Sequence, residues 1–295
     1  MSDTRVVSIV ETRVHRPHEI GEATAHRRRR AELVGESGRL MIIAADHPAR
    51  GALRAGRRGL AMADRGELLR RLVLALSHPG VDGVLATADI VEDLLLLGAL
   101  DGKVVIGSMN RGGLAGTVFE IDDRFTGYDP ASIAAAGLDG GKMMLRIDPE
   151  DPATVSTMES CARAVSGLAA HRLMAMVEPF VSHRIDGRVH NDLSTEAVIY
   201  SVAVAAGLGC TSAYTWLKLP IVDGMERVLA ASTLPVLLLG GEVSADQDAA
   251  FARWARALKL PTARGLVVGR SLLYPPDDDV AAAVDTAVGL LERAP

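Results

Sequence analysis

From Leu40 to Val268 this chain of 295 residues repeats one pattern eight times: a short apolar run, then a longer stretch. The runs are Leu40–Ala45, Val81–Ala86, Val104–Gly107, Lys142–Ile147, Leu173–Val177, Ala213–Lys218, Pro235–Leu239 and Gly265–Val268. They recur at intervals of roughly twenty to forty residues, the pitch of successive β/α units. Several intervening stretches have helical periodicity. In Glu67–Ser77, Leu68, Leu69, Leu72, Val73 and Leu76 form one stripe, opposite Arg70 and Arg71. Pro152–Ala170, Thr195–Gly207, Asp246–Leu258 and Asp279–Leu291 behave likewise, with starts signalled at Asp148–Pro152 and Asp192–Thr195. Alternation of this kind demands a parallel sheet buried on both faces. The expected fold is α/β, a (β/α)8 TIM barrel over residues 39–295 behind an N-terminal helical extension, residues 1–38. A doubly wound open sheet is the alternative. No Gly-x-Gly-x-x-Gly follows the first run, which weakens a dinucleotide-binding version of it.

Composition matters where it closes off functions. A formal net charge of -5 argues against general nucleic-acid binding. The basic run His26–Arg30 is expected to be the solvated face of an N-terminal helix. Leu94–Leu97 is the longest leucine run and far too short to span a bilayer, so no membrane partner is expected. The polar N-terminus carries no signal-peptide pattern, and Cys161 and Cys210 lack metal-ligand spacing. The two cysteines are expected to be reduced thiols in the core of a cytoplasmic protein.

In a barrel the chemistry stands at the carboxyl ends of the strands. Here those ends carry Asp46 and His47 (first), Asn110 and Arg111 (third), Arg146 (fourth), Glu178 (fifth) and Lys218 (sixth). The seventh ends in Gly240 and Gly241, the eighth in Gly269 and Arg270. Packing alone does not ask apolar strands to end this way. Gly240 and Gly241 let a backbone approach an oxyanion, and Gly269 with Arg270 adds a guanidinium fork, which together suit a phosphate. If the strands alternate, Lys142 and Arg146 share one face and Tyr214, Trp216 and Lys218 another. A second amine beside Lys218 is one of the ways a lysine becomes a nucleophile near neutral pH; burial is the other. Glu178 precedes Pro179, which holds its backbone extended. It reads as a general acid/base, as a counter-ion for Lys142, Arg146 or Lys218, or as both.

Taken in order, Asp46, Glu178, Lys218, Gly240–Gly241 and Gly269–Arg270 resemble the class I (Schiff-base) aldolases of the tagatose-bisphosphate and archaeal fructose-bisphosphate type, over roughly residues 40–275. The runs Ile43–Gly51, Gly107–Gly113, Gly140–Ile147 and Ser212–Pro220 are similar to an actinobacterial aldolase-like branch found with myo-inositol breakdown genes. The resemblance implies Lys218 as the imine-forming lysine, Glu178 as acid/base, and Asp46 and Lys142 as further catalytic groups. It also implies Gly241 and Arg270 as phosphate contacts, with no cofactor and no metal. His47 stands where glutamine is common, and Asn110, Arg111 and Arg146 lie outside the general motif. Those four are expected to touch substrate, with Arg111 or Arg146 on a carboxylate or second phosphate.

The expected reaction is reversible carbon–carbon cleavage of a phosphorylated ketose or keto-acid, releasing dihydroxyacetone phosphate. The favoured substrate is 2-deoxy-5-keto-gluconate 6-phosphate, and a homo-oligomer is expected by analogy with relatives. Two rivals stand beside it. One is a metal-dependent aldolase or isomerase using His47, His183, His190 and Glu178. The other is a barrel that binds a sugar phosphate without turning it over.

Overall fold

The computed structural model describes residues 3–293; the first two residues of the expected extension and the last two of the expected barrel domain lie outside the described residues. Two helices, α1 (Asp3–His15) and α2 (His18–His26), precede the first strand. Then follow β1 (Leu40–Ala44), α3 (Arg65–Ser77), β2 (Gly83–Ala86), α4 (Ala88–Leu96), β3 (Val104–Ser108), α5 (Pro130–Ala135), β4 (Gly140–Ile147) and α6 (Ala153–Ala170). The second half runs β5 (Met174–Ile185), β6 (Arg188–Asp192), α7 (Thr195–Ala206), β7 (Thr215–Leu219), α8 (Met225–Ala230) and β8 (Val236–Leu239). It ends with α9 (Gln247–Ala257), β9 (Ala263–Val268), α10 (Arg270–Leu273) and α11 (Val280–Glu292).

Strands β1, β2, β3, β4, β5, β7, β8 and β9 pair in that order, all parallel, and β9 returns to β1. The sheet is closed: this is a (β/α)8 barrel. Side-chain alternation sorts its two faces. Leu40, Ile42, Leu85, Val104, Ile106, Met174, Met176, Leu237 and Val267 fill the barrel interior. Met41, Ile43, Val84, Met143, Leu145, Val177, Leu217, Leu238 and Val268 pack outward under the helices. Several helix starts are capped by side chains. Ser194 accepts from Ala197 N at 3.3 Å, Asp246 from Ala249 N at 2.8 Å and Asp279 from Ala282 N at 3.0 Å.

The basic run is not a solvated helix face. Helix α2 ends at His26, and the arginines after it grip the amino-terminal end of the barrel. Arg27, buried, donates to Lys103 O at 2.9 Å and Gly137 O at 2.6 Å. Arg28 pairs with Asp101 (3.1 Å), Arg29 with Asp139 (3.0 Å) and Arg30 with Asp82 (2.5 Å). Asp82, Asp101 and Asp139 lie just before β2, β3 and β4. Leu33 and Val34 then pack against the barrel interior. The extension therefore closes the end opposite the strand tips.

Two local expectations change, and one stretch is newly defined. Over His183–His190, β5 continues to Ile185 and turns into antiparallel β6, with His183 opposite His190. The strand before Lys218 starts at Thr215, so Tyr214 belongs to the turn ahead of it, while Trp216 packs against the barrel interior. Cys161 is buried, but Cys210 is exposed because it sits in the turn-rich link between α7 and β7.

Candidate active site

Alternation carries past the apolar layers to the carboxyl ends, and there the inward positions turn polar. On β4, Lys142 and Arg146 point inward between outward Met143, Leu145 and Ile147; on β7, Lys218 follows Trp216 inward; on β5, Glu178 follows Met176. Asp46 continues the inward series of β1, two residues beyond Ala44. They line a cavity of about 430 Å³ whose wall also includes His47, Arg50, Arg111, Gly240, Gly241, Gly269 and Arg270.

At its floor two lysines and two carboxylates are shut away from water. Lys142 is 1% exposed, Asp46 2%, Lys218 4% and Glu178 5%. Charges so buried cost several kcal/mol each unless paired, and these are paired. Glu178 Oε1 lies 3.0 Å from Lys218 Nζ, and Glu178 Oε2 is in direct contact with Lys142 Nζ. Lys142 Nζ also reaches Asp46 Oδ2 at 3.4 Å. Burial pushes the Glu178 carboxyl up, but the two ammonium groups outweigh it and bring it down to about 2. Asp46 is likewise opposed by burial, yet Arg111, Lys142 and Lys218 hold it well below the usual carboxylate range. Burial lowers Lys142 to about 8 despite Glu178 and Asp46. His47 is lowered to about 3, chiefly by burial, so it is neutral near pH 7.

The glycine-rich rim lies across the cavity. Gly241 holds φ +70°, and a Cβ on Gly269 would sit 2.3 Å from Ala44 O and 2.9 Å from His47 Cε1. Only glycine lets the β9 end pass this close to the β1 end. Arg270 follows, paired with the exposed Glu242 at 2.6 Å and donating to Arg54 O at 3.4 Å. Glu242 is a surface partner with its side chain largely in solvent.

Not every expected residue reaches the cavity. Asn110 ties the β3 end to β4: its Nδ2 donates to Met144 O at 2.6 Å, and Met144 N donates to its Oδ1 at 2.8 Å. It is fully buried and does not line the cavity. Arg146 lines it but donates to Glu120 Oε1 at 2.8 Å. Sequence reasoning missed Arg50, which lines the wall, donates to Gly113 O (2.9 Å) and Asn110 O (2.7 Å), and pairs with Asp123. It also missed Glu120 and Asp123, the buried partners of these arginines. The signal was there in a long β3–α5 connection holding Glu120, Asp122 and Asp123. Among the described residues no group of three or more His, Cys, Asp or Glu is placed to hold a metal ion. His183 and His190 lie together on the β5–β6 hairpin, off the cavity wall.

A closed, parallel eight-stranded barrel with a buried lysine at the tip of its sixth barrel strand defines the class: a (β/α)8 barrel protein. The fold is that of an archaeal fructose 1,6-bisphosphate aldolase, with TM-score 0.64 and 20% identity over 88% of this chain and 96% of that one. It is also that of an archaeal aldolase structure in which the catalytic lysine is covalently bound to a carbinolamine intermediate, with TM-score 0.65 and 20% identity over the same shares. The chain itself belongs to the Cgl0159-like family, whose model matches residues 38–288. Cgl0159 from Corynebacterium glutamicum, known from a crystal structure, is 55% identical over 99% of this chain and 98% of that one, with TM-score 0.96. No curated protein matches the chain. Among the described residues no helix is long and apolar enough to cross a membrane.

Proposed function

We propose that this chain is a class I aldolase that cleaves and forms a carbon–carbon bond in a phosphorylated ketose or keto-acid through an imine on Lys218. One observation carries the reading: the Lys218 amine and the Glu178 carboxylate are 3.0 Å apart at the floor of a cavity with a glycine-rich, arginine-bearing rim. The Lys218 nitrogen adds to the substrate carbonyl carbon. The carbinolamine hydroxyl then leaves as water, giving an iminium. A base takes the proton of the hydroxyl β to the iminium carbon, the carbon–carbon bond breaks, and its electron pair moves to the nitrogen as an enamine. An aldehyde departs. Protonation of the enamine carbon and hydrolysis of the imine release the ketone, dihydroxyacetone phosphate.

Glu178 touches both amines, so it can take a proton from Lys218 and return one to the carbinolamine hydroxyl. Asp46 faces the substrate hydroxyl in this scheme, and Lys142 keeps both carboxylates ionised. Gly240, Gly241, Gly269 and Arg270 hold the phosphate, with His47 beside them as a neutral hydrogen-bonding group. The favoured substrate is 2-deoxy-5-keto-gluconate 6-phosphate, an inositol-pathway compound whose carboxylate Arg146 would take by exchange with Glu120. The chemistry needs no cofactor. A cytoplasmic homo-oligomer acting on a soluble phosphate ester fits this reading. The test is aldol cleavage assayed with a chelator and then with borohydride plus a ketose phosphate. Activity should survive the first and be lost irreversibly in the second; loss to the chelator alone would instead favour a metal-dependent enzyme.

A further inference from the structure

We infer that Arg111 is a positioning residue: it grips the Asp46 carboxylate so that one oxygen is held and the other is left for the substrate, and it does not itself bind substrate. The inference rests on the aldolase reading and deepens it, because it decides which carboxylate oxygen meets the reacting hydroxyl.

The grip is two-pronged. Arg111 Nη2 donates to Asp46 Oδ2 at 2.5 Å, and Arg111 Nη1 donates to the backbone oxygen of the same residue at 3.0 Å. A guanidinium bound to both side chain and main chain of one residue fixes that residue's χ1 and the direction of its carboxylate. Ser108 Oγ and Lys142 Nζ add to Oδ2 at 3.3 and 3.4 Å. Among the described residues Oδ1 accepts no hydrogen bond; His47 Nδ1 lies 3.9 Å away. One oxygen therefore carries all the donors, and the other remains open on the cavity wall.

Arg111 is itself held in place. It is buried, and it follows Asn110, whose side chain is hydrogen-bonded twice to the backbone at Met144. Met109 N donates to Lys142 O at 2.9 Å, tying the same turn to β4. The chain thus spends a rigid turn between β3 and β4 on presenting one guanidinium to one aspartate. An arginine committed to recognising a substrate anion would leave its fork open toward the cavity; this one has closed both prongs on Asp46.

The experiment uses the full chain and the variants R111A, R111K, D46N and R111A/D46N. Borohydride trapping with dihydroxyacetone phosphate is run beside steady-state cleavage. Wild type and all variants should trap, since the imine needs Lys218 rather than Asp46. R111A should lower kcat roughly 100-fold with KM changed by less than about threefold, the split of a residue acting in the chemical step. R111K should recover part of that loss and controls for folding, since it keeps the charge without the two-pronged fit. The double variant should be no slower than D46N, because Arg111 acts through Asp46. The acid limb of kcat should move to higher pH in R111A, where Ser108, Lys142, Lys218, Glu178 and His47 remain around Asp46. A rise in KM with kcat intact, or losses that multiply in the double variant, would overturn the inference while leaving the aldolase reading in place. No adduct on wild type would remove both.

Discussion

Lys218 Nζ lies 3.0 Å from Glu178 Oε1, and both groups are sealed inside the barrel. Neither strand tip would tolerate its charge alone. Each offsets the other's burial, and together with Lys142 they form one buried cluster of charges on the cavity floor.

That mutual dependence predicts two losses from one substitution. Glu178→Gln leaves Lys218 without its paired carboxylate and leaves Lys142 with Asp46 alone, at 3.4 Å, which should cost about 3–5 kcal/mol of stability. It should also lower kcat about 10²–10⁴-fold through the lost proton transfer. Denaturant titration beside steady-state kinetics checks both. A stable, active Glu178→Gln protein would contradict the account of the floor.

The pH dependence follows from two shifted groups. Lys142 stands near 8, so cleavage that needs its ammonium to hold the carboxylates should fall as pH rises through about 8. Lys142→Met should abolish that limb. For stability the sign is opposite: from about 8 up to 10.5 the unfolded chain binds more protons at this lysine, so its contribution to stability rises with pH. Glu178 is lowered from 4.5 to about 2, and its contribution is complete above 4.5 and lost as pH falls toward 2. Unfolding followed between pH 2 and pH 10 in wild type and the two variants separates these contributions.

At the rim, Gly269→Ala forces a Cβ into Ala44 O and should displace the β1 end that carries Asp46 and His47. Both KM for a phosphorylated substrate and kcat should suffer. Arg270→Ala should instead raise KM about tenfold or more, with a smaller change in kcat, as expected for a lost charge-assisted phosphate contact. Equal behaviour toward phosphorylated and unphosphorylated substrates in Arg270→Ala would remove the phosphate assignment.

Arg146→Ala tests the other end of the substrate. If Arg146 exchanges Glu120 for a substrate carboxylate, an acidic substrate should lose more in kcat/KM than a neutral ketose phosphate, by about tenfold. Equal losses would leave Arg146 with Glu120 and Asp123 as a purely internal cluster.

Away from the cavity, Arg27→Ala strips two half-buried carbonyls, Lys103 O and Gly137 O, of their donor. A loss of about 2–3 kcal/mol is expected, with cleavage at low temperature nearly unchanged. Thermal melting and activity measured on the same sample distinguish this from a site effect.

The barrel was legible because each strand buries both faces and so reads as a bare apolar run, broken only where an inward side chain turns polar. Lys218 and the Lys142–Arg146 pair could be placed for the same reason, since period two puts them on one inward face, and Glu178 because it closes the fifth run before Pro179. Partnerships across the fold were not legible. Arg111 and Asp46 are 65 residues apart, and nothing local in either sequence neighbourhood says that the arginine serves the aspartate rather than the substrate. Arg27–Arg30 read as a solvated stripe because helical periodicity stops at His26 without a glycine or proline to announce it. The β5–β6 hairpin hid in a polar stretch whose strands face solvent, so no apolar alternation marked them.

The most direct test of the central claim is the site of the trapped adduct. Wild-type protein is incubated with dihydroxyacetone phosphate and borohydride, digested, and mapped by mass spectrometry. A reduced adduct on Lys218, absent in Lys218→Met and retained on Lys218 in Arg111→Ala, is the predicted result. An adduct on Lys142 instead, or none with any ketose phosphate, would contradict it.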